Sequence, residues 1–194
     1  MNKKGIIILC VVFAVVLIGA GVLYSNLSDN LQIGGLATQP PTESVPAETA
    51  ETVDYSAPDF TVLDWEGTER KLSEFEGKPV VLNFWASWCG PCKSEMPDFD
   101  AAYKQYGQQV HFLMVNCTGG RETVDSAKAF IQEAGYTFPV YFDTTYEAAS
   151  LYGASSIPLT YFIDAEGNLV TYAMGALSAE WLQKGIDMIY TPET

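Results

Sequence analysis

The run Val80-Val81-Leu82-Asn83-Phe84-Trp85 leads almost directly into Trp88-Cys89-Gly90-Pro91-Cys92, after which the chain has helical character as far as Gly107. A nearly continuous apolar run rich in β-branched and aromatic residues reads as a strand covered on both faces, which requires a parallel or mixed sheet. Pro91 is compatible with the opening turn of a helix, because the first N–H groups there have no intrahelical partners. The Cys pair is therefore expected at a junction where a buried strand turns into a helix spanning about residues 89–106.

The remaining elements supply such a sheet. Phe60–Leu63 and Glu69–Leu72 flank the turn-rich Asp64-Trp65-Glu66-Gly67 and predict a small hairpin. Val110–Val115 is a second buried strand. Residues 122–134 carry Val124, Ala127, Ile131 and Ala134 at helical spacing, with Gly135 as terminator. A short strand over 138–142, a helix over 145–152 ended by Gly153, and two strands over 159–163 and 169–173 joined by Asp164-Ala165-Glu166-Gly167-Asn168 follow. Ser178 caps a closing helix to Tyr190. This order predicts an α/β sandwich with a mixed sheet.

From Gly5 to Tyr24 the chain carries no charge for 20 residues, and a helix of that length is about 30 Å long, the thickness of bilayer hydrocarbon. Lys3 and Lys4 precede it and the next basic residue is Arg70, so the positive-inside bias places the amino terminus in the cytoplasm and the rest outside. A cleaved signal peptide competes with retention, although the stretch is long for one and Ala20 offers a poor cleavage pattern. Residues 25–57 hold Pro40, Pro41 and Pro46, many Ser and Thr, several acids and no Lys or Arg, the composition of a mobile tether. The expected organisation is an anchor over 1–24, a linker over 25–57 and one domain over 58–194.

The net charge of −14 argues against nucleic acid as a partner, since phosphate contacts need Lys and Arg. With 48% hydrophobic residues the chain has material for a core. Four Cys are too few for a disulfide-stapled scaffold, and the single His rules out a multi-histidine metal site.

A thiolate is the nucleophile in thiol-disulfide exchange, and a Cys at a helix amino terminus sits where free N–H groups and the positive end of the macrodipole favour negative charge. A second Cys three residues further on, across two intervening residues, can release a mixed disulfide by intramolecular attack. Cys89 is thus expected to attack, being the more exposed, and Cys92 to resolve. A purely structural disulfide is the plain alternative, but so short a loop constrains the unfolded chain little. A zinc knuckle would need a second ligand pair, and only His111 and Cys117 remain beyond the apolar segment.

WCGPC after a strand, with Ile157-Pro158 ahead of the strand Leu159–Ile163, resembles the thioredoxin superfamily over nearly all of residues 58–194. The anchor, the leading Ala57-Pro58-Asp59-Phe60 hairpin and the extra helix and strand between about Arg121 and Phe142 resemble the bacterial TlpA/ResA-like thiol-disulfide oxidoreductases. The resemblance implies a thioredoxin-like three-layer sandwich and a cis peptide at Pro158 facing the Cys pair. It also implies that the backbone of Ile157 offers an edge to a substrate strand, and Trp88, Gly90 and Pro91 complete the expected substrate-binding surface. It implies no cofactor besides the Cys89–Cys92 pair. Gly90-Pro91 with Ile157 is similar to the reducing members, so the expected activity is reduction of protein disulfides at the outer face of a bacterial membrane. A CcdA-like membrane protein is then the implied electron donor, and apocytochrome c, a sulfoxide reductase or misoxidised exported proteins are possible targets.

Thioredoxin proper has a buried acid on the strand before its Cys pair, where this chain has Asn83. Glu95, three residues after Cys92, matches an acid of ResA-like proteins and lies on the same helix side. It reads either as the compensating base for Cys92 or as a solvated surface residue. Pro97 matches the family's helix-bending position. Trp88 reads as an exposed lip rather than core, and Cys117 as a small core residue by default, with a third redox thiol as the alternative. Two rivals remain. Peroxiredoxins share similar Ala57–Phe60 and Gly77–Pro79 phrases, but the residues before Cys89 lack the Thr and Pro of their Pro-x-x-x-Thr-x-x-Cys site. A tethered binding module would keep the fold without the chemistry.

Overall fold

The computed structural model describes residues 54–192. The expected membrane span over 5–24 and the linker up to residue 53 lie outside them. Among the described residues no helix is long and apolar enough to cross a membrane.

The described residues form seven strands and four α-helices, in the order β1 (Thr61–Leu63), β2 (Glu69–Lys71), β3 (Val80–Trp85), α1 (Gly90–Tyr106), β4 (His111–Cys117), α2 (Val124–Ala134), β5 (Val140–Asp143), α3 (Glu147–Leu151), β6 (Leu159–Ile163), β7 (Leu169–Met174) and α4 (Ala179–Ile189). The strands form one mixed sheet in the order β2-β1-β5-β4-β3-β6-β7. The central β3 runs parallel to β4, from Val80↔His111 to Trp85↔Asn116, and antiparallel to β6, from Val80↔Ile163 to Phe84↔Leu159. All six of its residues are buried, as the unbroken apolar run requires.

The period-two alternation of β3 divides its side chains between two cores. Val81 and Trp85 pack with Met96 and Phe99 of α1, Ile131 of α2, and Leu182 and Ile186 of α4. Val80, Leu82 and Phe84 pack on the other side with Phe60, Phe75, Ala148 and Tyr152. At about 1.5 to 3 kcal/mol per fully buried large apolar side chain, these two faces hold the central strand in register. Helix α4 lies so close to β6 that a Cβ on Gly185 would overlap the Phe162 ring. The layered α/β arrangement is the mixed-sheet sandwich that the element order predicts, and with its leading hairpin and its α2–β5 insertion it has the thioredoxin-like architecture that the resemblance implies.

The differences from the expected elements are local. Leu72 starts a 3-10 turn, Leu72–Phe75, instead of ending β2, and both of its apolar ends are buried. The third helix is shorter than 145–152 because Tyr146, at its N-cap, has φ +62. Strand β5 starts at Val140, after Pro139, which has no N–H to give a ladder. Helix α2 starts at Val124, with Thr123 Oγ1 accepting from Ser126 N at 3.0 Å. Glu122, which helical spacing places inside this helix, precedes it and is buried. Gly135 does end the helix, in the left-handed conformation at φ 72.

Candidate active site

Strand β3 carries the chain to Ala86, whose carbonyl accepts from Cys89 N at 3.1 Å and turns the backbone into α1. Cys89 is the N-cap of that helix. Its Sγ accepts from Cys92 N at 3.2 Å, and its carbonyl oxygen accepts from Lys93 N at 3.1 Å. The two sulfurs are joined in a Cys89–Cys92 disulfide. No acid lies in the first turn, so negative charge on Cys89 after reduction would meet N–H groups and the positive helix end without local repulsion. Cys89 is 4% exposed and Cys92 is 0% exposed. The order matches the expectation, but the expected exposed attacker is nearly covered in the disulfide. The exposed residues beside it are Trp88, Gly90 and Pro91, and a Cβ at Gly90 would meet nothing within 4 Å.

The Ile157–Pro158 peptide, 68 residues further along the chain, is cis. It brings the Ile157 carbonyl oxygen to 3.7 Å from Cys89 Sγ, while the Pro158 carbonyl accepts from Gly175 N at 2.9 Å and ties this loop to the end of β7. Ile157 is half-buried and Pro158 buried. Sequence-distant residues are thus gathered around one sulfur atom, with Trp88, Gly90 and Pro91 on the open side.

Glu95 is 1% exposed, which excludes the solvated-surface reading. Its Oε1 accepts from Asn83 Nδ2 at 2.9 Å and its Oε2 from Leu177 N at 2.9 Å. Burial pushes its carboxyl up from the ordinary 4.5 to about 7; the two donors hold it down, and Asp98 adds a smaller upward push. Desolvation thus outweighs the hydrogen bonds, and the acid is poised to exchange a proton near neutral pH. Asn83, the departure from thioredoxin, is this acid's partner on β3.

Three further residues shape the site. Glu122 is buried, and its carboxylate accepts from Ser87 N at 3.2 Å, Ser87 Oγ at 2.8 Å and Asn116 Nδ2 at 3.0 Å. It therefore fixes the backbone two residues before Cys89. Arg121 places its guanidinium carbon 3.7 Å from the centre of the Trp88 ring, a cation–π contact that holds the exposed indole. Both come from the loop 118–122, where Gly119 has φ +144 and lies against the Tyr146 ring. Two adjacent glycines ahead of Arg121 and Glu122 were the available signal, and helical spacing masked it. Trp85 is fully buried, and so is Cys117 apart from a 6% residue of exposure. Burial, with Asp143 nearby, pushes the Cys117 thiol up to about 12, so it is a core residue at neutral pH. Among the described residues no cluster of His, Cys, Asp or Glu is arranged to hold a metal ion.

The AhpC/TSA family model matches residues 53–172. The thiol-disulfide oxidoreductase ResA of Geobacillus thermodenitrificans is 35% identical over 143 residues, covering 73% of this chain and 80% of the relative. ResA of Oceanobacillus iheyensis is 36% identical over 179 residues, covering 92% of this chain and 81% of the relative. Among solved structures, StoA from Bacillus subtilis superposes with a TM-score of 0.59 at 26% identity, covering 68% of this chain and 98% of that one.

Proposed function

Because the chain belongs to the AhpC/TSA family and, within it, to the ResA-like thiol-disulfide oxidoreductases, we propose that it works as a reductase of protein disulfides on the outer face of a bacterial membrane. Residues 5–24 retain it there, residues 25–57 act as a tether and residues 58–194 carry the chemistry. The observation that carries this reading is the Cys89–Cys92 disulfide at the start of α1, with the cis Ile157–Pro158 peptide on one side and a buried acid of raised proton affinity one turn along the helix.

In the reduced protein the Cys89 thiolate attacks one sulfur of a substrate disulfide, forming a mixed disulfide and expelling the other substrate sulfur as thiolate. Glu95 accepts the proton of Cys92, whose thiolate then attacks Cys89 Sγ and releases the second substrate thiolate. Two electrons have passed to the substrate and the chain is left in its disulfide form. A membrane dithiol donor of the CcdA type returns them by the same exchange in reverse. Trp88, Gly90 and Pro91 form the contact surface, and the Ile157 backbone, set by Pro158, pairs with the extended segment that carries the substrate Cys. Targets of this kind include apocytochrome c and other exported proteins with misplaced disulfides. Peroxide reduction, the other chemistry associated with the family, fits less well, since Ala86 and Leu82 stand where a peroxidatic Cys needs Thr and Pro.

Expressing Cys92→Ser in the native host tests this reading. Mixed disulfides with exported proteins should accumulate on Cys89 and vanish in Cys89→Ser. No covalent partners together with no disulfide reductase activity would leave a tethered binding module, and consumption of peroxide by the wild-type chain would restore the peroxidase.

A further inference from the structure

Asn83 lies wholly buried on β3 and spends both amide protons on one side, donating from Nδ2 to Glu95 Oε1 at 2.9 Å and to Thr160 Oγ1 at 3.0 Å. Its Oδ1 is buried and accepts nothing. A buried acceptor left empty costs free energy that a fold ordinarily avoids, so its place beside an acid that gains and loses a proton needs a reason.

The two partners of Nδ2 have one property in common: each can reverse its hydrogen-bonding role. A carboxylate accepts, whereas a carboxylic acid also donates; a hydroxyl does either by rotating. An amide reverses by turning over. We propose that the Asn83 side chain turns over whenever Glu95 takes up or releases its proton, donating to the carboxylate in one state and accepting from the acid in the other.

With Glu95 ionised, the two bonds run from Nδ2 to Glu95 Oε1 and to Thr160 Oγ1, as observed. When the proton of Cys92 reaches Glu95, Oε1–H donates to Asn83 Oδ1, and the Thr160 hydroxyl donates to the second lone pair of the same oxygen. Two bonds are made in each state, and the Leu177 N–H continues to donate to Oε2. On the side of the amide that faces away from Glu95, Oδ1 receives no hydrogen bond, so no bond on that side holds the observed orientation; reversal turns the two Nδ2 protons to that side in exchange for the bonds that Oδ1 gains from Glu95 and Thr160. Glu95 is bonded to Asn83 on β3 and to the Leu177 amide ahead of α4, and Asn83 in turn to Thr160 on β6. Among the described residues, Asp98 is the charged group whose field reaches it. Asn83 thereby acts as a positioning residue: it gives Glu95 a partner in both protonation states, where the acid of thioredoxin proper at this place would be a second titrating group.

This inference rests on the reading of Glu95 as the proton acceptor, and two signals measured on the full chain in detergent separate them. Infrared difference spectra through the Glu95 titration, assigned with Glu95→Gln, should show an acid C=O band at the low frequency of a group donating to an amide oxygen. In Asn83→Leu the band should move to the higher frequency of an unbonded acid. In the unaltered chain, the Asn83 side-chain NH2 resonances should move upfield together as that band grows, because both protons lose their acceptors. An acid band accompanied by unmoved NH2 resonances would overturn the amide reversal and leave Glu95 as acceptor. So would a band at the same frequency with and without Asn83. If no acid band is lost in Glu95→Gln, the reading of Glu95 and the inference fall together.

Discussion

The Glu95→Gln substitution turns the burial of this acid into a measurable pH dependence of stability. The folded chain binds the Glu95 proton with a pKa of about 7, against an ordinary 4.5. Between those values the native state keeps a proton that the unfolded chain has released. More protons are bound in the native state, so the stability contributed by this group is fully present below pH 4.5 and falls as pH rises through 7. At 1.36 kcal/mol per unit, the loss over the window comes to about 3 kcal/mol. Gln has no proton to keep, and its fixed contacts with Asn83 and the Leu177 amide add an offset that does not vary with pH. The stability of Glu95→Gln minus that of the wild type should therefore be flat below pH 4.5, rise by about 3 kcal/mol by pH 8 and level off. Urea unfolding of the oxidised chain, followed by tryptophan emission, measures it without interference from the active-site thiols, which are joined and do not titrate. A difference that stays constant across the window, or that changes only below pH 4.5, would show that burial does not raise the proton affinity of Glu95.

Other substitutions probe the rest of the site. Glu122→Ala should lower stability by about 2 to 4 kcal/mol, because it strands the Ser87 N–H and the Asn116 amide in a buried setting, and urea midpoints will read it. Arg121→Ala removes a cation–π contact from an indole that is 45% exposed; it should change stability by less than about 1 kcal/mol while shifting tryptophan emission and raising KM for a protein disulfide more than it lowers kcat. Cys117, with its thiol pushed up to about 12, should resist alkylation in the folded chain and react only in denaturant, and mass spectrometry of the oxidised protein should find Cys89 bonded to Cys92 alone. Gly185→Ala drives a Cβ into the Phe162 ring and should cost about 1 to 3 kcal/mol of overpacking, seen as a lowered Tm.

What the sequence made legible and what it did not have one physical origin. The buried strand, the Cys pair and the order of the elements were readable because each is written in consecutive residues: an apolar run fixes β3, and Pro91 after Cys89 fixes the start of α1. Even the position of Pro158 could be anticipated, through resemblance, although it is the fold that brings Ile157 to 3.7 Å from Cys89 Sγ. Glu95 was visible as an acid three residues after Cys92, but its burial was not. That depends on Leu177, which reaches it from 82 residues away, and helical spacing alone cannot distinguish a face that meets water from one that meets another part of the chain. Glu122 was misread for the same reason in reverse: its neighbours fit a helical period, while the bond between Gly119 and Glu122 across the turn excludes it from the helix and aims its carboxylate at Ser87. Both acids that shape the surroundings of Cys89 are therefore non-local features, held by β3, β4 and the segment before α4. The Cys pair is local and readable, whereas the raised proton affinity of Glu95 belongs to the packing. Sequences that share WCGPC can accordingly differ in the proton affinity of an acid at this place through residues as distant as Asn83 and Leu177, without any change in the motif.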